Sequence, residues 1–172
     1  MPGLSVCLLL DERADRAVRG LWRRLEYDGV RTLATYTHGR HVPHLTLASL
    51  GGDDPVPAEA LAALSSSLPL EVDLHALGVF TRSRCWLLPT VSIDLLRLHE
   101  SVARTLDGRA VHRHYRPGAW QPHVTLAPRM AADALPVVAT RVYEVLPLPA
   151  LLSRLVLVDT RTGEVHDLPG QP

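Results

Sequence analysis

Two histidine–threonine pairs carry the chemistry open to this chain. His44 and Thr46 stand in the string PHLTLA, residues 43–48, and His123 and Thr125 in PHVTLA, residues 122–127. Five of the six positions are identical, and the sixth exchanges Leu45 for Val124. On a β-strand, side chains two apart share a face. Each string therefore predicts a short strand presenting an imidazole and a hydroxyl on one face, with Leu45 and Leu47, or Val124 and Leu126, on the other. Neither motif contains a carboxylate, which fits poorly with a serine hydrolase or a glycosidase and fits a phosphate well. Each threonine can donate to a non-bridging oxygen. One histidine can take a proton from an attacking hydroxyl or water while the other protonates the leaving oxygen. In-line displacement needs such groups on opposite sides of phosphorus. Charge that develops on oxygens already held by donors calls for no metal.

The elements around the motifs recur with them. The apolar run 5–10 predicts a buried strand. From Asp11 to about Tyr27 the period becomes helical, with Ala14, Val18, Leu21 and Leu25 on one face, arginines on the rest and Asp11 as cap. Thr32 to Tyr36 reads as a strand, 51–54 as a turn, and Pro57 to about Ser67 as a helix. Alternation over 70–80 marks a half-exposed strand. The cycle then repeats: a strand at 85–88, a helix from Ser92 to about Leu106, the second motif strand, a weaker helix at 131–143 interrupted by Pro136, a strand at 151–158 and a closing hairpin to Leu168. The two motif histidines are 79 residues apart. The same offset places Cys7 on Trp86, Asp54 on Asp133 and Val72 on Leu151, the mark of an internal duplication. The expected fold is α+β: a bilobal, pseudo-two-fold duplication, each lobe an antiparallel sheet with helices outside, the repeated strands facing each other across a central cleft. The 172 residues form a single domain, with one repeat over about 1–80 and the other over about 81–172.

Composition narrows the classes of function. Formal net charge is zero, which argues against a broad nucleic-acid-coating surface. All 18 cationic side chains are arginine, so Schiff-base chemistry is excluded and arginine is the available phosphate clamp. Cys7 and Cys85 lie in apolar runs and read as buried free thiols. The N-terminus carries no basic leader and its apolar run is too short for a signal peptide or a membrane span. The expectation is a cytoplasmic, monomeric protein without cofactor, metal or membrane partner. His38, His41 and His44 recur at every third position, but no cysteine or carboxylate completes a metal set, and His38 and His41 are expected in a solvated Arg/Gly loop.

The two H-x-T motifs, about eighty residues apart in a small chain, resemble the 2H phosphoesterase superfamily, which includes 2′-5′ RNA ligase-like proteins and cyclic phosphodiesterases. The stretch 115–127, YRPGAWQPHVTLA, is similar to the branch whose second motif follows a Tyr-x-Pro-Gly-x-Trp lead. The resemblance spans the chain in length and element order and is specific at the hexapeptides. It implies a bilobal fold and metal-independent phosphodiester chemistry at 2′-linked or 2′,3′-cyclic phosphates of RNA ends or nucleotides. It carries His44, Thr46, His123 and Thr125 as site residues, with His123 as the base and His44 as the acid. Around them, Tyr115 and Trp120 either stack on a base or cover the edge of the core. Arg129 is the arginine offered to the phosphate, although Pro128 stands where this chain departs from the branch. The alternatives are a non-catalytic module holding a nucleotide or RNA end in the same pocket, 2′-5′ ligation, and a metal-dependent hydrolase using the extra histidines. Specificity is expected from loops 37–42, 80–84 and 113–120.

Overall fold

A computed structural model describes residues 3–51, 55–81 and 84–170. Gly52, Asp53 and Asp54 of the expected turn, and Arg82 and Ser83 of the second specificity loop, lie outside the described residues. The element order is β1 (Leu4–Leu10), α1 (Glu12–Tyr27), β2 (His44–Leu50), α2 (Ala58–Ala63), β3 (Leu70–Phe80), β4 (Arg84–Pro89), α3 (Ile93–Thr105), β5 (Val124–Ala127), α4 (Leu135–Tyr143), β6 (Leu148–Asp159) and β7 (Val165–Asp167). Local chemistry sets the helix ends. The Asp11 carboxylate accepts from the backbone N–H groups of Arg13 and Ala14 at the start of α1, and Ser92 accepts from Leu95 at the start of α3. Pro136 sits in the first turn of α4, where its missing N–H costs nothing, so it opens that helix instead of interrupting one.

All seven strands form one antiparallel sheet in the order β1-β2-β5-β4-β3-β6-β7, and β6 also pairs with β1. Where the sequence suggests a sheet for each half, the strands of the two halves also pair with each other, and the pairings close into a six-strand circuit with β7 attached. Four pairings link the halves: Leu45 with Val124 between β2 and β5, residues 70–74 with 148–152 between β3 and β6, β1 with β6, and β3 with β4. Within each half the register follows the 79-residue offset. Cys7 pairs with Thr46 and Trp86 with Thr125; Leu8 pairs with Leu45 and Leu87 with Val124; a register shift falls at Val6/Cys7 in one half and at Cys85/Trp86 in the other. The core is aliphatic, with Leu8, Leu21, Leu45, Leu47, Leu87, Leu95, Val124, Leu126 and Leu155 fully buried.

Thr32 to Tyr36 is turn, not strand. The Glu26 carboxylate accepts from the Thr32 backbone and hydroxyl and from the Thr35 hydroxyl, and the Thr32 hydroxyl accepts from the Ala34 N–H. Such local side-chain bonds outcompete a strand ladder. The turn is tied to the second motif strand by the Leu33 N–H, which donates to the Leu126 carbonyl at 3.0 Å.

Candidate phosphate site

The burial of Leu45, Leu47, Val124 and Leu126 fixes which way the motif strands face. Because neighbours on a strand alternate, His44 and Thr46 share the opposite face of β2, and His123 and Thr125 share that face at β5. The Leu45–Val124 pair is antiparallel, so continuing it by one residue in each direction sets His44 against Thr125 and Thr46 against His123. The four side chains thus cluster around a single junction, related by the same exchange that relates the two halves.

Each histidine is held in the same way. His44 Nδ1 lies 2.7 Å from the Val42 carbonyl oxygen, and His123 Nδ1 lies 2.7 Å from that of Gln121. A carbonyl can only accept, so Nδ1 carries the proton in both rings and Nε2 is left with its lone pair. Burial lowers the pKa of His44, opposed by the bond to Val42. Burial likewise lowers that of His123, opposed by the Gln121 bond and reinforced by the charges of His44 and Arg84. Both imidazoles are therefore neutral near pH 7, and an anion between them would favour protonating one.

The surroundings of the two pairs differ. On the first, Cys7 Sγ lies 3.7 Å from Thr46 Oγ1. Burial pushes the Cys7 thiol up to about 12, so it stays protonated and inert. On the second, Phe80 meets the His123 ring edge-on at 5.2 Å, and Trp86 lies 5.8 Å from it. Trp86 occupies the place that Cys7 has in the first half, and Gly78, its partner across β3 and β4, makes room: a Cβ there would fall inside the indole. Each threonine carbonyl receives an indole N–H, Trp22 donating to Thr125 at 3.3 Å and Trp120 to Thr46 at 2.9 Å.

The Tyr-x-Pro-Gly-x-Trp lead of the second motif therefore reaches across to the first motif. Trp120 is half-buried, with one face stacked on His99 at 4.0 Å and 6°. Arg129 is exposed on the bend after β5. The guanidinium whose charge acts on both His123 and Tyr115 is that of Arg84, at the start of β4. Phe80 and Arg84 bound loop 80–84, from which the sequence leads one to expect specificity, but sequence reading did not single them out as neighbours of His123 and missed Trp86. The signal available was the pairing of residues 80–86 beside the second motif, which needs the fold. A separate hollow of about 620 Å³ lies at the β3–β6 junction and is lined by Asp11, Arg13, Glu71, Asp73 and Leu151. Its carboxylates would repel a phosphate, and no histidine lines it.

His38 and His41 are half-buried, not solvated. Their rings meet at 4.1 Å between centroids, tilted by 40°, and His38 fills the space over Gly163. Among the described residues no group of three His, Cys, Asp or Glu side chains could hold a metal ion. Burial, with the charges of His38 and His44, lowers His41 to about 4. The unfolded chain then binds more protons than the folded one between the ordinary value near 6.5 and about 4. His41's contribution to stability is full above the upper bound and is lost as pH falls through that window. Thermal unfolding followed by circular dichroism should show Tm dropping as pH goes from 6.5 to 4, and His41→Gln should flatten that slope. An unchanged slope in the variant would place the effect elsewhere.

No match was found among curated protein sequences. Solved structures share the fold. A crystal structure of a phosphoesterase superposes with a TM-score of 0.62 at 18% identity, covering 97% of this chain and 95% of that one. E. coli LigT complexed with phosphate superposes with a TM-score of 0.50 at 21% identity, covering 76% and 72%. Among the described residues no helix is long and apolar enough to cross a membrane. The family model of the 2′-5′ RNA ligase superfamily matches residues 11–164, and the chain with its two strand-borne His-x-Thr pairs belongs to that superfamily of phosphoesterases.

Proposed function

We propose that this protein is a metal-independent phosphodiesterase acting on 2′-linked or 2′,3′-cyclic phosphates of RNA ends or nucleotides. The observation that carries the reading is the pair of identically tethered histidines, each with Nε2 unprotonated, gathered with two threonines about one strand junction. Threonine hydroxyls from both strands bind the non-bridging oxygens. His123 Nε2 takes a proton from water as its oxygen attacks phosphorus. The bond from phosphorus to the 2′ oxygen breaks, and His44, which takes up a proton from solvent at Nε2 when the substrate's negative charge stabilises its imidazolium, gives that proton to the 2′ oxygen. The product is a phosphomonoester and a free hydroxyl. The phosphate complex of E. coli LigT supports a phosphate ligand for this fold. Phe80, half-buried beside His123, and Arg84 are the groups available to the nucleoside on that side.

The direct experiment is a screen of purified protein against 2′,3′-cyclic nucleotides and 2′-5′ dinucleotides with a strong chelator present. Turnover that survives the chelator is the expected result, and turnover abolished by chelation and restored by a divalent ion would overturn it. Thr46→Ala and Thr125→Ala should each lower kcat by about 10–10³-fold, the cost of removing one of several donors to a developing oxyanion. Single-turnover rates on the best substrate of the screen would measure this. Two threonine variants with wild-type kcat would remove the hydroxyls from the phosphate site.

A further inference from the structure

The three tryptophans are not alike. Trp22 and Trp120 each give their indole N–H to a threonine carbonyl, that of Thr125 and that of Thr46. Trp86 is 7% exposed, and its Nε1 is buried with no hydrogen-bond partner among the described residues. An indole nitrogen can only donate, and a buried Trp N–H ordinarily finds an acceptor. A donor left unpaired has given up its bonds to water with nothing in exchange, so each one in a folded protein calls for an explanation.

The place of Trp86 supplies one. It pairs with Thr125 across β4 and β5, and residues directly opposite share a face, so the indole stands on the face that carries both motif pairs. Its ring centroid lies 5.8 Å from that of His123. On the other side it pairs with Gly78, where a Cβ would come within 2.2 Å of the indole, so the ring lies over bare backbone. The equivalent place in the first half holds Cys7, whose thiol meets the Thr46 hydroxyl at 3.7 Å. Phe80 completes the group. Half-buried at the end of β3, it packs on the indole at 4.9 Å and stands edge-on to His123 at 5.2 Å. Strand pairing fixes Gly78 and β4, so the Phe80 side chain is the neighbour free to turn aside.

This surface is aromatic, and its one unpaired group is a neutral donor. A phosphate belongs elsewhere, at the β2–β5 junction where the histidines and threonines gather; the indole leans the other way, over β3. A nucleobase fits, since it offers an apolar plane to aromatic rings and carbonyl or ring-nitrogen acceptors at its edge. Resting on the phosphodiesterase reading above, we infer that Trp86 is a specificity residue whose indole N–H is completed by an acceptor on the substrate's base, with Phe80 turning aside to admit it. The base is thereby held beside His123, on the β3–β4 side of the site.

The test sets a nucleoside 2′,3′-cyclic phosphate against its abasic analogue, a ribose 2′,3′-cyclic phosphate. Trp86→Phe keeps a ring over Gly78 and removes the N–H. It should raise KM for the nucleoside substrate by about 3–10-fold, the worth of one neutral hydrogen bond, with kcat little changed. KM for the abasic substrate should not move. Gly78→Ala, which drives a methyl into the indole, should reproduce the pattern. A penalty of equal size on both substrates would overturn the inference. Proton–nitrogen correlation NMR of the wild-type protein gives a readout that needs no variant. The Trp86 indole resonance, identified by its contact with the Phe80 ring, should move downfield on addition of a nucleoside monophosphate and stay in place with inorganic phosphate. Movement with inorganic phosphate alone would assign the N–H to the phosphate, no movement with either would assign it to a bound water, and each would overturn the base contact while leaving the phosphodiesterase reading standing. A panel with no turnover would remove that reading, and the resonance would still decide the base contact.

Discussion

His44→Ala and His123→Ala should each lower kcat by about 10²–10⁴-fold on the cognate phosphodiester, the range that one general acid or base contributes. Both rings are tethered through Nδ1 to a carbonyl two residues upstream, so each offers the same nitrogen to the junction between β2 and β5. Neither change should unfold the protein. The apolar faces of the motif strands, Leu45, Leu47, Val124 and Leu126, carry the packing, and they are untouched. Melting curves within a few degrees of wild type, together with the loss of turnover, would separate chemistry from folding. Two variants that kept near-normal kcat on the best substrate would end the enzyme reading.

The site's centre was legible because two independent periodicities agreed. The alternation His-Leu-Thr-Leu and His-Val-Thr-Leu puts polar groups on one face, and the 79-residue offset puts the two strings at equivalent places. The offset also reproduces the pairing registers, Cys7 with Thr46 and Trp86 with Thr125. Helix caps such as Asp11 and Ser92 were legible because capping is a local bond. What was not legible depends on contacts between distant segments. Thr32 to Tyr36 has strand-like residues, but Glu26, far enough away to escape a window on the strand, collects their donors. Trp120 precedes the second motif in sequence, yet its indole serves Thr46 of the first, because β2 and β5 are neighbours in the sheet. Arg84 and Phe80 reach His123 through the pairing of β3 with β4 and β4 with β5. No local pattern encodes those positions. Arg129 is the converse case: close to the motif in sequence and exposed beyond it in space.

The other large effect distinguishes the two histidines. A substrate whose leaving group departs unprotonated, such as a nitrophenyl phosphodiester, removes the need for an acid but not for a base. On that substrate His44→Ala should recover most of its 10²–10⁴-fold deficit, while His123→Ala should keep its own. The surroundings favour this order. His123 is crowded by Phe80 and Trp86, and burial, aided by the charges of His44 and Arg84, disfavours its imidazolium; a ring kept neutral is suited to accept a proton from water. His44 has burial against it as well, opposed by the Val42 bond, and no arginine charge is among the causes that lower it. The pH profile on the natural substrate should then be bell-shaped, with one neutral and one protonated histidine required, and on the nitrophenyl substrate the alkaline limb should disappear because the protonated acid is no longer needed. An alkaline limb that persisted, or a His44→Ala variant as damaged as His123→Ala on the activated substrate, would reverse or abolish the assignment of roles while leaving the two-histidine site in place.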